Sequence, residues 1–132
     1  MRLTQSLPII AALFLTACAS GSLNSGSTLF QSKGEKSLSS GIELYDDGKY
    51  GEAVSTLQDA LGQGLGADSQ VKAHKYLAFA YCVSSKERLC RDEFKKALEL
   101  KPTLELEPSE AGHPIWGPVF KSVKAKKTDP KK

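Results

Sequence analysis

A pattern of small and large residues recurs along the middle of the chain, and it restricts the possible fold more than any other feature. Two segments match when one is displaced by 37 residues. The aligned pairs are Gly41 with Ala78, Leu44 with Tyr81, Ala53 with Cys90, Leu57 with Phe94, Ala60 with Ala97, and Leu61 with Leu98. Small residues let two helices approach closely, and large residues fill the space between them. The pattern therefore predicts two similar helical hairpins.

Periodicity and turn residues place the helices of these hairpins. The predicted helices are 37–45 and 50–61 in the first hairpin, and 70–83 and 87–100 in the second. Two repeat units rarely suffice alone, so a capping helix is expected, and residues 115–127 can supply it. The sequence therefore predicts an all-α fold of about two hairpins with a C-terminal capping helix.

The spacing resembles the tetratricopeptide repeat, a helix–turn–helix unit with small and aromatic residues at fixed positions. The second unit carries this pattern at Leu77, Ala78, Tyr81, Cys90, Phe94, Ala97 and Pro102. The first unit carries it at Gly41, Leu44, Tyr50, Ala53, Leu57 and Ala60 but lacks the final proline. The alternative is an unrelated pair of hairpins with coincidental small residues.

The start of the chain is typical of a bacterial export signal. Arg2 is followed by an apolar run over 7–15, which is too short to span a bilayer. The run ends in Leu15-Thr16-Ala17-Cys18, which resembles the lipobox of bacterial lipoproteins. The resemblance implies that the Cys18 thiol carries diacylglyceryl and that acyl chains anchor the protein in the membrane. The alternative is an ordinary secretory signal in which Cys18 is incidental.

The composition changes along the chain and predicts four segments. They are a signal peptide over 1–17, a lipidated flexible tether over 18–33, a tetratricopeptide-like domain with its cap over 34–127, and a disordered basic tail over 128–132. The formal net charge of +3 is too small for a nucleic-acid-binding face. Ala19, not Asp, follows Cys18, which by resemblance implies the periplasmic face of the outer membrane.

A second resemblance lies in the C-terminal third. The matching residues are Tyr81-Cys82, Cys90, Phe94, Ala97-Leu98, Leu104, Leu106, Pro108, Glu110, Gly112-His113-Pro114 and Trp116-Gly117-Pro118-Val119. Together with the lipobox they resemble the TssQ family of small lipoproteins associated with type VI secretion. The resemblance covers about Val71 to Lys121 and implies an accessory outer-membrane lipoprotein of a contractile secretion machine, without enzymatic activity.

Two cysteines remain after Cys18. Cys82 and Cys90 are an even pair in an oxidising compartment, and the residues between them cross the turn of the second hairpin. This arrangement favours a disulfide bond. The alternative is two buried thiols, since a free cysteine can fill the small position of the repeat.

An apolar stripe on the first helix of each hairpin predicts a partner-binding surface, because such helices line the concave face of stacked repeats. The candidate contacts are Ile42, Tyr45, Lys75, Phe79 and Trp116. An amphipathic helix or an extended peptide would suit this stripe. The alternative is that the C-terminal segment of the protein covers it.

A second hypothesis is an enzyme or regulator of cell-wall hydrolysis, which needs a nucleophile, an acid pair or a metal cluster, but no such set of residues is evident. Asp46-Asp47 is interpreted as a turn before Gly48. His74 and His113 are interpreted as structural side chains, since a structural metal site needs about four ligands and none is assembled around them. We therefore expect no enzyme activity, no cofactor and no metal. A third hypothesis is a structural role in which the basic tail touches an acidic surface.

The predicted function is an outer-membrane lipoprotein that binds envelope proteins, as an accessory component of type VI secretion. The alternative is a periplasmic scaffold of another envelope complex, for outer-membrane assembly or cell-wall synthesis.

Overall fold

The computed structural model describes residues 31–128. The predictions for the signal peptide, Cys18 and most of the tether, and for the last four residues of the tail, lie outside these residues. The described part is all-α. Its helices are α1 (Lys33–Asp46), α2 (Tyr50–Gln63), α3 (Ala67–Val83), α4 (Glu87–Leu100), α5 (Pro108–Ala111) and α6 (Trp116–Thr128).

The two predicted hairpins are confirmed as α1–α2 and α3–α4. Helix α1 begins at Lys33 rather than at residue 37, because Ser32 caps it by accepting a hydrogen bond from the Glu35 backbone N–H at 3.2 Å. Helix α3 begins at Ala67 rather than at residue 70, directly after the extended Gly66. The sequence pattern therefore located the helices but not their first turns.

The repeat extends to the turns between the helices. Gly48 has a φ of 76° and Ser85, which aligns with it, has a φ of 60°. In each turn the following lysine donates its backbone N–H at 2.9 Å to a carbonyl five residues earlier, from Lys49 to Leu44 and from Lys86 to Tyr81. The two hairpins thus share one turn geometry, and the second forms it without glycine.

Small residues bring the helices together as predicted. A Cβ added to Gly41 would lie 2.7 Å from Cγ of Leu57, so α1 and α2 can pack this closely only with glycine there. In the second hairpin Ala78, Cys90 and Ala97 are fully buried around Phe94. These contacts continue into one apolar core that also includes Trp116 and Phe120 of α6.

The capping helix is confirmed as α6, and it packs against α4 and α3. Its contacts run along α4 in the same direction: Ile115 and Val119 lie beside Cys82 and Glu87, Ser122 meets Arg91, and Lys127 bonds to the Leu98 carbonyl. Helix α6 is therefore parallel to α4. The connection over 101–115 makes this possible, because it returns the chain to the amino end of α4 before α6 begins.

None of the helices between residues 31 and 128 combines the length and the apolar character needed to cross a bilayer.

Candidate functional site: an aromatic groove between the first helices and the C-terminal segment

Tyr45 is the centre of an aromatic cluster on the first helices of the two hairpins. Its ring centroid lies 5.5 Å from that of Tyr50, 5.4 Å from Tyr76, 6.2 Å from Phe79 and 6.4 Å from Trp116. Helix α1 ends one residue after Tyr45, so its side chain lies at the end of the hairpin where α6 begins. Aromatic pairs at such distances stabilise a surface beyond the area they bury.

The C-terminal segment, residues 108–116, lies against this cluster. Glu110 attaches it to α3, because one carboxylate oxygen accepts from Lys75 Nζ at 2.7 Å while the other accepts from the Glu107 backbone N–H at 3.0 Å. The Glu110 carbonyl accepts from Trp116 Nε1 at 2.9 Å. The Trp116 indole in turn stacks on Phe79. One residue thus positions both the segment and its tryptophan.

This packing corrects part of the predicted binding surface. Phe79 is 2% exposed and Trp116 is 8% exposed, so neither can serve as an open partner contact in this arrangement. The reason is that the C-terminal segment covers the second hairpin's part of the stripe, which is the alternative that the sequence left open. Lys75 is also engaged, since its ammonium pairs with Glu110 and lies 5.7 Å from the Phe79 ring centroid. Ile42 and Tyr45 remain half-buried.

An open groove remains between the first helices and the segment, with a cavity volume of about 340 Å³. Its lining residues are Tyr45, Asp46, Tyr76, Phe79, Ser109, Glu110 and Trp116. Tyr76 was missed by the sequence reasoning, although its place three residues before Phe79 on the same helix could have identified it. Because Phe79 and Trp116 are buried, the groove presents chiefly the half-buried Tyr45 and Tyr76 side chains and the carboxylates of Asp46 and Glu110.

The phenols of the groove stay protonated across the physiological range. Burial raises the pKa of Tyr45, and the neighbouring Tyr50 and Tyr76 phenols and the Asp46 and Glu110 carboxylates raise it further. The pKa of Tyr76 is raised by burial first and then by the same two carboxylates. Both hydroxyls can therefore donate a hydrogen bond to a bound group.

The two cysteines meet across the second hairpin. Their sulfurs lie 2.03 Å apart, at the distance of a disulfide bond, as the sequence predicts. The pair joins the end of α3 to the first turn of α4. Its contribution is to hold the hairpin closed.

A charged cluster centred on the buried Glu93 lies between α3 and α4. Glu93 is 7% exposed and accepts hydrogen bonds from His74 Nδ1 at 2.6 Å and from Lys96 Nζ at 2.7 Å. Burial acts to raise the pKa of Glu93, but the hydrogen bonds and charges of His74 and Lys96 outweigh it and lower the pKa overall. The sequence did not indicate this cluster, because a glutamate on an amphipathic helix is ordinarily expected to lie on the exposed face.

His113 lies beside Trp116, which fits the prediction that this histidine has a structural role. Its ring stacks on the Trp116 ring with the planes 2° apart, and its Nδ1 accepts from the Ile115 backbone N–H at 3.2 Å. Within the described range, no group of three or more histidine, cysteine, aspartate or glutamate side chains is arranged to hold a metal ion.

No protein family model matches the chain, no curated protein matches it significantly, and no solved structure does so either.

Proposed function

We propose that the protein is a lipid-anchored component of the bacterial outer membrane that faces the periplasm, and that its helical domain binds a protein partner and catalyses no reaction. The observation that carries this proposal is the aromatic groove, where Tyr45 and Tyr76 line an open cavity beside the C-terminal segment. Tyrosine and tryptophan side chains dominate the energetics of protein interfaces because they bury a large area at a small cost in conformational entropy.

The shape of the groove suits a short segment of a partner. It is open along one side, and the half-buried Ile42 lies on α1 one turn before Tyr45. An amphipathic helix or an extended peptide could place one or two apolar side chains against the tyrosines while its polar atoms meet the phenol hydroxyls and carboxylates at the rim. The tetratricopeptide-like stacking inferred from the sequence supports the same surface, because α1 and α3 are the first helices of their hairpins.

Type VI secretion is the proposed pathway, and it rests on the resemblance to the TssQ family. Several residues of the C-terminal string that resembles the TssQ family have a structural role in common. They pack the C-terminal segment onto α3. Trp116 stacks on Phe79, His113 stacks on Trp116, and a Cβ on Gly117 would lie 2.5 Å from the Ala111 carbonyl oxygen. A scaffold role in another envelope complex remains the alternative function.

Two measurements in the native bacterium test the proposal. Mass spectrometry of the mature N-terminus should find diacylglyceryl on Cys18, and Cys18→Ser should abolish the modification. Secretion of the tube protein of the contractile apparatus should fall in a Tyr45→Ala, Tyr76→Ala strain and persist in a Leu89→Ala strain. Leu89 is a suitable control because it is 42% exposed and lies outside the groove.

Each outcome has a distinct meaning. An unmodified Cys18 would contradict the lipid anchor. Normal secretion with a stable, helical groove variant would contradict the role in secretion, and defects in outer-membrane assembly or wall synthesis would then support the alternative.

A further inference from the structure

Helix α6 is basic and lies beside basic side chains of α4. The helix contains Lys121, Lys124, Lys126 and Lys127 and no aspartate or glutamate. A groove of about 350 Å³ separates it from α4. We call this groove the basic groove; its lining residues are Arg91, Lys95, Glu99, Val123, Lys126 and Lys127. The first hairpin has the opposite character, since residues 33–63 contain three lysines against six acidic residues.

The basic groove ends at the same end of the domain as the start of α1, where the chain arrives from Cys18. Ser37 bonds to Gln63 at 3.0 Å, which places the start of α1 at the end of α2. Lys101 lies 3.9 Å from Asp68, which places the end of α4 at the start of α3. Because α6 is parallel to α4, Lys126 and Lys127 lie at this end as well. The aromatic groove, at the end of α1 and the start of α6, lies toward the other end, since Trp116 and Lys126 are about 15 Å apart by the rise of the helix between them.

The side chains of the basic groove suit an extended anionic surface better than a single bound anion. A specific anion site uses buried donors that converge on one point, often arginine in bidentate geometry. Here Lys126 is exposed, Lys95 is exposed and pairs with Asp92 at the surface at 3.2 Å, and the one arginine, Arg91, is held by Glu87 at 2.6 Å. Exposed lysines spread along two helices attract the negative surface of a phospholipid bilayer, at about 1 kcal/mol for each lysine near it.

We propose that the basic groove and the end of α6 lie on an anionic phospholipid surface, so that the domain stands on its membrane with the aromatic groove directed away from it. The proposal goes beyond the proposed function. Only the delivery of the domain to the membrane rests on the lipid anchor, and the affinity of the basic groove for lipid does not.

Vesicle co-sedimentation tests this proposal with the chain from residue 19 onward, which keeps every described helix and the whole core but has no Cys18. The protein is mixed with vesicles of phosphatidylglycerol and phosphatidylcholine, and separately with vesicles of phosphatidylcholine alone. The test variant is Lys95→Glu, Lys126→Glu. Its matched control is Lys49→Glu, Lys86→Glu, which changes the net charge equally at the opposite end of the domain.

We expect binding to the anionic vesicles only, weakened by raising the salt concentration. The Lys95, Lys126 variant should bind about thirtyfold more weakly or worse, since each lost lysine costs about fivefold. The Lys49, Lys86 variant should bind like the unmodified chain. Circular dichroism of both variants confirms that they remain helical.

Three outcomes would overturn the proposal: no binding to anionic vesicles, equal binding to neutral vesicles, or equal losses in the two variants. Binding of a polyglutamate peptide without binding of vesicles would show that the basic groove receives an acidic protein instead. None of these outcomes decides whether Cys18 is lipidated, so failure here and failure of the proposed function can be told apart.

Discussion

The Trp116 indole lies over the Phe79 ring, with the centroids 4.5 Å apart and the planes inclined by 25°. Phe79 belongs to the second hairpin and Trp116 is the first residue of α6. This stack therefore joins the C-terminal segment to the repeat, and it decides which part of the concave stripe is covered and which part is open.

We predict that Trp116→Ala lowers the free energy of unfolding by about 3–5 kcal/mol, because it removes a buried aromatic side chain and leaves Phe79 without its partner. Urea unfolding followed by circular dichroism measures this change. Ile115→Ala is the control, since Ile115 is adjacent but 48% exposed, and its effect should stay within about 0.5 kcal/mol. Similar losses in the two variants would show that the stack does not hold the segment.

Gly41→Ala should destabilise the first hairpin. The added methyl would lie 2.7 Å from Leu57 Cγ, and such overpacking costs about 1–3 kcal/mol. Gly62→Ala is the matched control with the opposite sign. A Cβ at Gly62 meets no atom within 4 Å, so alanine should stabilise α2 by up to about 1 kcal/mol. Thermal unfolding of the pair should therefore shift in opposite directions, and a stabilised Gly41→Ala variant would contradict the close packing of α1 on α2.

Reduction of the disulfide should lower stability without abolishing the fold. The bond closes a short loop, with a sequence separation of 8, and such closure contributes about 2–3 kcal/mol in the chain-entropy model. Urea unfolding with and without dithiothreitol measures the difference. A Cys82→Ala, Cys90→Ala variant should be insensitive to the reductant. Peptide mapping that finds both thiols free in the exported protein would refute the bond.

We predict that Glu93 makes the free energy of unfolding depend on pH. Its pKa is lower in the folded protein than the value of about 4.3 in an unfolded chain. Ionised Glu93 therefore stabilises the fold above the unfolded pKa, and this contribution is lost as the pH falls through the lower folded pKa. Glu93→Gln should cost about 1–3 kcal/mol at neutral pH, and its difference from the unmodified protein should shrink as the pH falls below the unfolded pKa of about 4.3. Glu99→Gln, an exposed change on the same helix, should show no such convergence.

The hairpins could be predicted from the sequence because small and large residues recur at helical spacing, as Gly41 and Leu57 do against Ala78 and Phe94. The path of residues 101–115 could not, since periodicity describes a helix and not the course of a connection between helices. Phe79 is buried because residues 101–115 take this path. The prediction that Phe79 is an open contact of the apolar stripe was therefore wrong. The contact between Lys75 and Glu110 was missed for the same reason, because the two residues are 35 positions apart.

Site-specific photo-crosslinking in the intact envelope can show whether the aromatic groove binds a protein partner. A photoreactive phenylalanine analogue is placed at position 76, and in a matched strain at position 89, which is exposed but outside the groove. We expect a discrete adduct from position 76, identified by mass spectrometry, which is absent from position 89 and disappears when Tyr45→Ala is added. Truncation of such an aromatic contact typically costs about 2 kcal/mol of binding, or about thirtyfold in affinity. An absent adduct at position 76, or the same adduct from both positions, would contradict the claim.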